Sequence, residues 1–342
     1  MKKKTGVTIY DLAAELNVSP STVSRALQNH PSIGKATIKI VKKLAVERGY
    51  RLNTIAASLR KRETNNIGIL VPWINRPFIS SLISGAEAAA RAAGYNVLIS
   101  QSHDSIDNEI DNIKAFFESR ICGLIVSLAM ETKEFDHFDR FFENDTPIVF
   151  VDRIPEHLDA HKVIIDNHAA AFKATQHLIE QGCRRIAHFG GASHQTIYKE
   201  RRRGYEDALK KYNLPVDESI IFHGDRLSAD EGLKMTALLL KMPVPPDGIF
   251  SANDTAAVSA IQYAKSVGVN VPNDLAVIGF NNDPLCLIID PPLSSVSHPA
   301  VEMGRIAVEQ ILKIKASKED LLTQTITLKT EVVARASTLR KP

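Results

Sequence analysis

Residues 7–29 read VTIYDLAAELNVSPSTVSRALQN, a stretch whose caps and apolar spacing set the architecture of the N-terminal end. Thr8 is placed to cap a helix running from about Ile9 to Leu16, and Asp11 complements the positive end of its dipole. Leu12, Ala13 and Leu16 recur at the spacing of a buried helical face. Asn17 and Val18 break the run. Ser19 then caps a second helix opening at Pro20, whose fixed φ suits a first helical position. Val23, Ala26 and Leu27 share the buried side of that helix; Ser21, Thr22, Ser24 and Arg25 share the outer side. Short hydroxyl side chains let a helix approach the major groove closely, and an arginine forks onto guanine. Two helices joined by a turn of about four residues, the second presenting polar groups from its N-terminus, make a helix-turn-helix. The pattern alone leaves open a plain three-helix bundle with a solvated polar face.

Outward from this stretch, a third helix is expected from about Lys35 to Arg48. Ile38, Val41, Leu44 and Ala45 lie on one face, Lys39, Lys42 and Lys43 lie outside, and Gly49 supplies the stop. Residues 53–60, NTIAASLR, come next as a joining segment. Leu59 is an apolar residue among Arg60, Lys61 and Arg62. A leucine wedged between base steps kinks DNA from the minor groove, with neighbouring cations on the phosphates; a disordered linker with a stray leucine is the alternative.

Charge is divided along the chain in the same sense. Residues 1–65 hold 13 Lys/Arg against 4 Asp/Glu, and the remainder holds 29 against 35, so the net +3 of the 342 residues conceals a basic head on an acidic body. A polyanion is the natural partner of the head alone. No run of 18 apolar residues exists to span a membrane. Met1 to Lys4 is basic, but Thr5 to Asp11 forms no apolar signal core. Cys122, Cys183 and Cys286 are odd in number and far apart, which suits a reducing, cytoplasmic setting and no disulfide or metal framework. His157 and His161 are read as a solvated loop. No cofactor or metal is expected. The chain shows no Gly-x-Ser-x-Gly elbow, no phosphate-cradling loop and no nucleophile beside a base, so an enzyme is not expected.

From residue 66 strands and helices alternate, beginning with the apolar run Ile67 to Val71, and a second series restarts near Lys162. The fold class is therefore α/β: two doubly wound parallel-sheet lobes behind a small all-α head. The expected domains are 1–52 (head), 53–65 (hinge helix or linker) and 66–342 (effector-binding body). Within the body, a first lobe takes about 66–165 plus 294–325, and a second takes about 166–290 plus 326–336. Ligands in such sheets sit beyond the carboxyl ends of the strands, so two facing lobes form one cleft.

The motif at 7–29, the segment at 53–60, SANDTAAVSAI at 251–261 and VIGFNND at 277–283 resemble the lactose and purine repressor family of bacterial regulators, over nearly the whole chain. The resemblance implies a helix-turn-helix head on a periplasmic-binding-protein-like core that dimerises and binds a small effector. It implies base reading by Pro20, Ser21 and Arg25. Thr8, Tyr10, Ser19, Thr22, Ser24, Asn29 and Thr37 fall at phosphate-contacting or framework positions. It makes residues 53–60 a hinge helix, with Asn53, Ala56, Leu59 and Arg60 at the DNA and Leu59 intercalated. In the cleft it implies effector contacts from Arg201, Asn253, Asn281 and Asp152, a wall residue in Phe78, and a further contact in Asp166. Asn253 could instead cap the helix beginning beside it, and Arg201 could pair with a lobe carboxylate.

Three departures carry information. Gly34 stands where the family usually has a hydroxyl cap, a loss of roughly a few tenths of a kcal/mol. Asn281 stands where sugar-binding relatives often carry Asp, and Arg226 where they often place a stacking aromatic. Both cleft changes make it more positive, and Arg suits bidentate binding of carboxylate or phosphate. The expectation is a sugar-like, acidic effector: a uronate, a sugar acid or a phosphorylated sugar. A neutral sugar with Arg226 in solvent is the alternative. The functional reading is a homodimeric regulator, most simply a repressor, of carbohydrate-related genes on a near-palindromic DNA operator. Half-sites would lie about 34 to 36 Å apart. The rival is a transport-type solute-binding protein, which would need a secretion signal and no basic head.

Overall fold

The computed structural model describes residues 7–27, 29–50, 64–317 and 322–340. Residues 1–62 and 63–342 form separate compact units, and the hinge positions Asn53, Ala56, Leu59 and Arg60 lie outside the described residues.

The described residues of the head form three helices, α1 (Ile9–Glu15), α2 (Pro20–Leu27) and α3 (Lys35–Glu47). Thr8 and Asp11 close a capping box on α1: the Asp11 N–H donates to Thr8 Oγ1, and the Asp11 carboxylate accepts from the Thr8 N–H at 2.7 Å. Ser19 Oγ accepts from the Thr22 N–H at 3.1 Å at the start of α2. Gly34 caps α3 with no side-chain bond. Leu12, Ala13, Val23, Ala26, Val41 and Ala45 bury one core between the three helices.

The body contains two six-stranded sheets. In the first the strand order is β11 (Thr325–Leu328), β5 (His161–Ile165), β4 (Ile148–Val151), β3 (Gly123–Val126), β1 (Asn66–Val71), β2 (Asn96–Gln101), all parallel. In the second it is β12 (Val332–Val333), β10 (Ser294–Ser297), β9 (Ala276–Asn281), β8 (Gly248–Ser251), β6 (Ile186–Gly190), β7 (Ile221–His223). There, among the described residues, only β12 runs antiparallel. Central strands β3 and β4 are apolar throughout, and β1 is so from Ile67 onward, because helices cover both faces.

Two lobe boundaries differ from the sequence reading. β10, expected in the first lobe, pairs with β9 in the second sheet. Residues 326–328, expected in the second lobe, belong to β11 and pair with β5 in the first. The helix between them, Ala300–Ala316, does lie on the first sheet, packed against helix Pro77–Ala92. A Cβ on Gly85 would stand 2.0 Å from the Val301 carbonyl oxygen, and one on Gly304 2.0 Å from that of Leu82. Only glycines permit that backbone-to-backbone approach, and it fixes this helix in the first lobe. Among the described residues the chain thus crosses between lobes three times, after β5, after β10 and after β11, which is the connectivity of a hinge.

Candidate functional site

On the head, Tyr10, Ser19, Ser21, Arg25 and Asn29 are exposed, and Pro20, Thr22, Ser24 and Thr37 are half-buried. Ser19 Oγ, Ser21 Oγ and Thr22 Oγ1 form a hydroxyl cluster at 2.7 and 2.9 Å. It fixes the rotamers at the N-terminus of α2. Asn29 sits at φ +54°, a left-handed conformation asparagine tolerates, and its Oδ1 accepts from Lys42 Nζ at 2.6 Å. Asn29 is thereby held as a framework residue between α2 and α3.

In the body, one cavity opens between the lobes at the carboxyl ends of the strands. It leaves about 820 Å³ free of protein atoms, open solvent at the mouth included. Phe78, Asp152, Arg201, Arg226, Asn253 and Asn281 all line it. Asp166 is not among the lining residues; it is exposed and caps helix Asn167–Glu180 by accepting from the Ala169 N–H at 2.8 Å. Its place one residue beyond β5 makes it resemble a cleft residue, but β5 carries the chain out of the first lobe at that point.

Arg201 is 3% exposed. Its Nε donates to Asn167 Oδ1 at 2.9 Å and its Nη1 to the Ala252 carbonyl at 2.7 Å, and its guanidinium carbon lies 3.7 Å from the Phe280 ring centroid. It takes no carboxylate as a direct partner among the described residues; Asp152 acts on it only through space. Burial lowers its pKa, offset by Tyr198 and Asp152. Asp152 sits at φ +58°, a strained geometry for a non-glycine residue at the end of β4. Burial raises its pKa, while Arg153 and Arg201 act to lower it. Asn253 caps helix Asp254–Ser266: its Oδ1 accepts from the Ala256 N–H and its Nδ2 donates to the Leu227 carbonyl, both at 2.8 Å. Asn281, at φ +111°, accepts through Oδ1 from His298 Nδ1 at 3.2 Å, and His298 stacks on Phe78 with centroids 4.0 Å apart.

Trp73, Arg76, Tyr198 and Asp283, which lie in the strand-end stretches that the sequence places at the cleft, also line the cavity, and so does Asp104, which the sequence reading misses. Asp104 is the hub of its first-lobe wall. Its carboxylate accepts from Trp73 Nε1 at 2.7 Å, from the Met130 N–H at 3.1 Å and from Arg153. Across the mouth, the Met130 carbonyl accepts from His194 Nε2 at 2.7 Å and Gln195 Nε2 at 2.8 Å. Glu156 accepts from Thr196 and from Lys199 Nζ at 3.5 Å. These bonds tie the two lobes through the start of helix Thr196–Lys211, the helix that carries Arg201. Cys122, Cys183 and Cys286 are buried; burial pushes Cys183 up to about 12 and raises Cys286 too, which keeps both thiols protonated. No metal-holding cluster and no membrane-length apolar helix occurs among the described residues.

A helix-turn-helix unit joined to a two-lobed, hinged ligand-binding body defines a ligand-responsive DNA-binding regulator. Comparison with known proteins agrees with both parts. Residues 8–53 match the bacterial regulatory proteins of the lacI family, and residues 175–338 match a periplasmic binding protein-like domain. Catabolite control protein A of Priestia megaterium is 33% identical over 97% of this chain and 99% of its own length. The HTH-type transcriptional repressor CytR of Escherichia coli K12 is 35% identical over 91% and 90%. Among solved structures, the transcriptional regulator CelR in complex with cellobiose aligns with a TM-score of 0.72 at 26% identity, over 97% of this chain and 99% of that one. A lac repressor dimer bound to operator shares the fold with a TM-score of 0.85 at 20% identity, over 98% and 100%. The chain belongs to the lacI family of bacterial regulatory proteins and is a DNA-binding transcription regulator.

Proposed function

We propose that the protein is a cytoplasmic, non-enzymatic, homodimeric repressor of carbohydrate-related genes, controlled by a sugar-like effector that carries an anionic group. Relatives named as a ribose operon repressor and a cellobiose-bound regulator support a carbohydrate. The observation that carries the anionic part is Arg226. It is exposed at the cavity wall and has no carboxylate partner among the described residues. Arg76 is exposed at the same wall, and Arg201 stands buried within it. A guanidinium with no carboxylate partner at a cleft wall is suited to a carboxylate or phosphate.

In this reading Arg201, Asp152 and Asn281 contact the effector, Phe78 supports it through the stacked His298, and Asn253 shapes the floor while capping its helix. Asp166 is set aside as a contact because it acts as a cap outside the cavity. Effector binding alters the angle between the lobes about the three crossovers, and the first lobe passes this to residues 53–65 and the head. Such couplings run to about 1 to 3 kcal/mol. Pro20, Ser21 and Arg25 read bases, with the remaining head residues on phosphates, and Leu59 enters the minor groove.

Titration calorimetry with galacturonate, glucuronate, glucose 6-phosphate and their neutral parents tests the effector class. An acidic sugar is expected to bind, and Arg226→Ala is expected to weaken it at least tenfold, the scale of a charge-assisted bidentate pair. Tight binding of a neutral sugar, unchanged in Arg226→Ala, contradicts the proposal.

A further inference from the structure

Trp73 is the only tryptophan in the chain and lies two residues beyond β1, in the first lobe. Its indole is clamped at the edge. Nε1–H donates to Asp104 Oδ2 at 2.7 Å, and the His103 ring meets it edge-on with centroids 4.8 Å apart. Asp104 is itself held by the Met130 N–H and by Arg153. The indole is therefore a rigid, oriented plate on the cavity wall. Over it lies Arg226 of the second lobe, its guanidinium carbon 5.7 Å from the ring centroid. A guanidinium is flat, weakly hydrated and drawn to an aromatic face. The C–H face of a pyranose makes the same demand on an aromatic plate.

We propose that Trp73 is the stacking platform for the effector ring, and that Arg226 occupies this platform in the unliganded protein and leaves it when the ring arrives. The proposal rests on the sugar-like effector argued above and deepens it. A neutral sugar must displace the guanidinium and receives nothing in return. A sugar bearing a carboxylate or phosphate displaces the same group and then pairs with it. Arg226 is thus a competitor for one class of ligand and a partner for the other. Because Trp73 and Arg226 belong to different lobes, the exchange also alters a contact between lobes. Asp104 is a positioning residue: it touches the indole and sets its orientation.

The sole tryptophan makes the test direct. Without ligand, acrylamide quenching of Trp73 emission is expected to rise in Arg226→Ala by roughly two- to fivefold, the population weight of an exposed cation–π contact. An unchanged quenching slope overturns the parked state. With ligand, the calorimetry panel is repeated on Trp73→Leu and Trp73→Phe. Leucine is expected to weaken the bound sugar by roughly tenfold and phenylalanine to restore part of it. Arg226→Ala is expected to shift acidic and neutral sugars in opposite directions. Binding of an acidic sugar that Trp73→Leu leaves intact refutes the platform and spares the acidic-effector reading. Quenching of Trp73 by neutral sugars alone, with their binding lost in Trp73→Leu, refutes the acidic reading and supports the platform. Thermal midpoints of the unliganded variants check that each is folded.

Discussion

Arg25 is exposed in the last turn of α2, with no carboxylate partner among the described residues, and it lies beyond the hydroxyl cluster of Ser19, Ser21 and Thr22. Arg25→Ala is expected to cost roughly 1 to 3 kcal/mol of operator affinity and to relax choice at a single base position. Quantitative binding to operator variants reads both. A second residue-scale effect concerns acid–base balance. Burial pushes Asp254 up to about 7, although Ser295 Oγ at 2.6 Å and the Asp283 N–H at 2.8 Å favour its ionised form. Burial likewise lifts Asp283 to about 6, against Arg76. Both folded-state values lie above the unfolded one, so the folded protein binds more protons between them, and stability falls as pH rises from about 4 to about 7. In Asp254→Asn, where an amide mimics the protonated acid, the thermal midpoint is expected to decline less between about pH 5 and pH 8 than in the parent. An equal decline contradicts the assignment. Single residues are legible in the sequence where local chemistry decides them. Thr8 and Ser19 read as caps and Gly34 as a missing one, and the structure agrees. Asn253 reads as either cap or contact, and both its polar groups turn out to be engaged within the protein. Asp104 leaves no such trace, because its partner Arg153 is 49 positions away and meets it only once the parallel strands align.

At the scale of elements, helix ends invite the cleanest tests. Thr8→Ala removes one half of the capping box and is expected to destabilise the head by about 1 kcal/mol. Gly34→Ser adds a cap where a Cβ meets no atom within 4 Å and where φ is −61°, so it is expected to stabilise the head by a few tenths of a kcal/mol. Chemical denaturation of the two variants measures the opposite signs. Apolar runs such as β1 and β3, and the long amphipathic helices, stand out in the sequence because burial on both faces or on one stripe leaves a periodic trace. β10 and β11 do not. β10 reads SSVS, too short and too polar to advertise itself, yet Ser294, Ser295 and Val296 are buried between β9 and β12. β11 is an edge strand with alternate residues exposed. Which sheet each joins depends on crossovers that leave no local signature.

At the scale of the whole molecule, the division of charge corresponds to a division of structure. The basic residues 1–62 and the acidic remainder are separate compact units. Removal of residues 1–62 is expected to abolish binding to DNA and to heparin. The body should retain a rise in thermal midpoint with a cleft ligand, about 2.7 kcal/mol of stabilisation at a hundredfold excess over its dissociation constant. A truncated chain that still binds DNA, or that loses the ligand response, contradicts this partition. The claim on which everything else depends is that the head reads DNA sequence under the control of the cleft. Selection of binding sites from random duplex DNA by the intact protein, with and without the panel of sugars, tests it most directly. Enrichment of one near-palindromic sequence, whose recovery changes when the effector is present, is expected. Recovery of no preferred sequence under any ligand condition would contradict it.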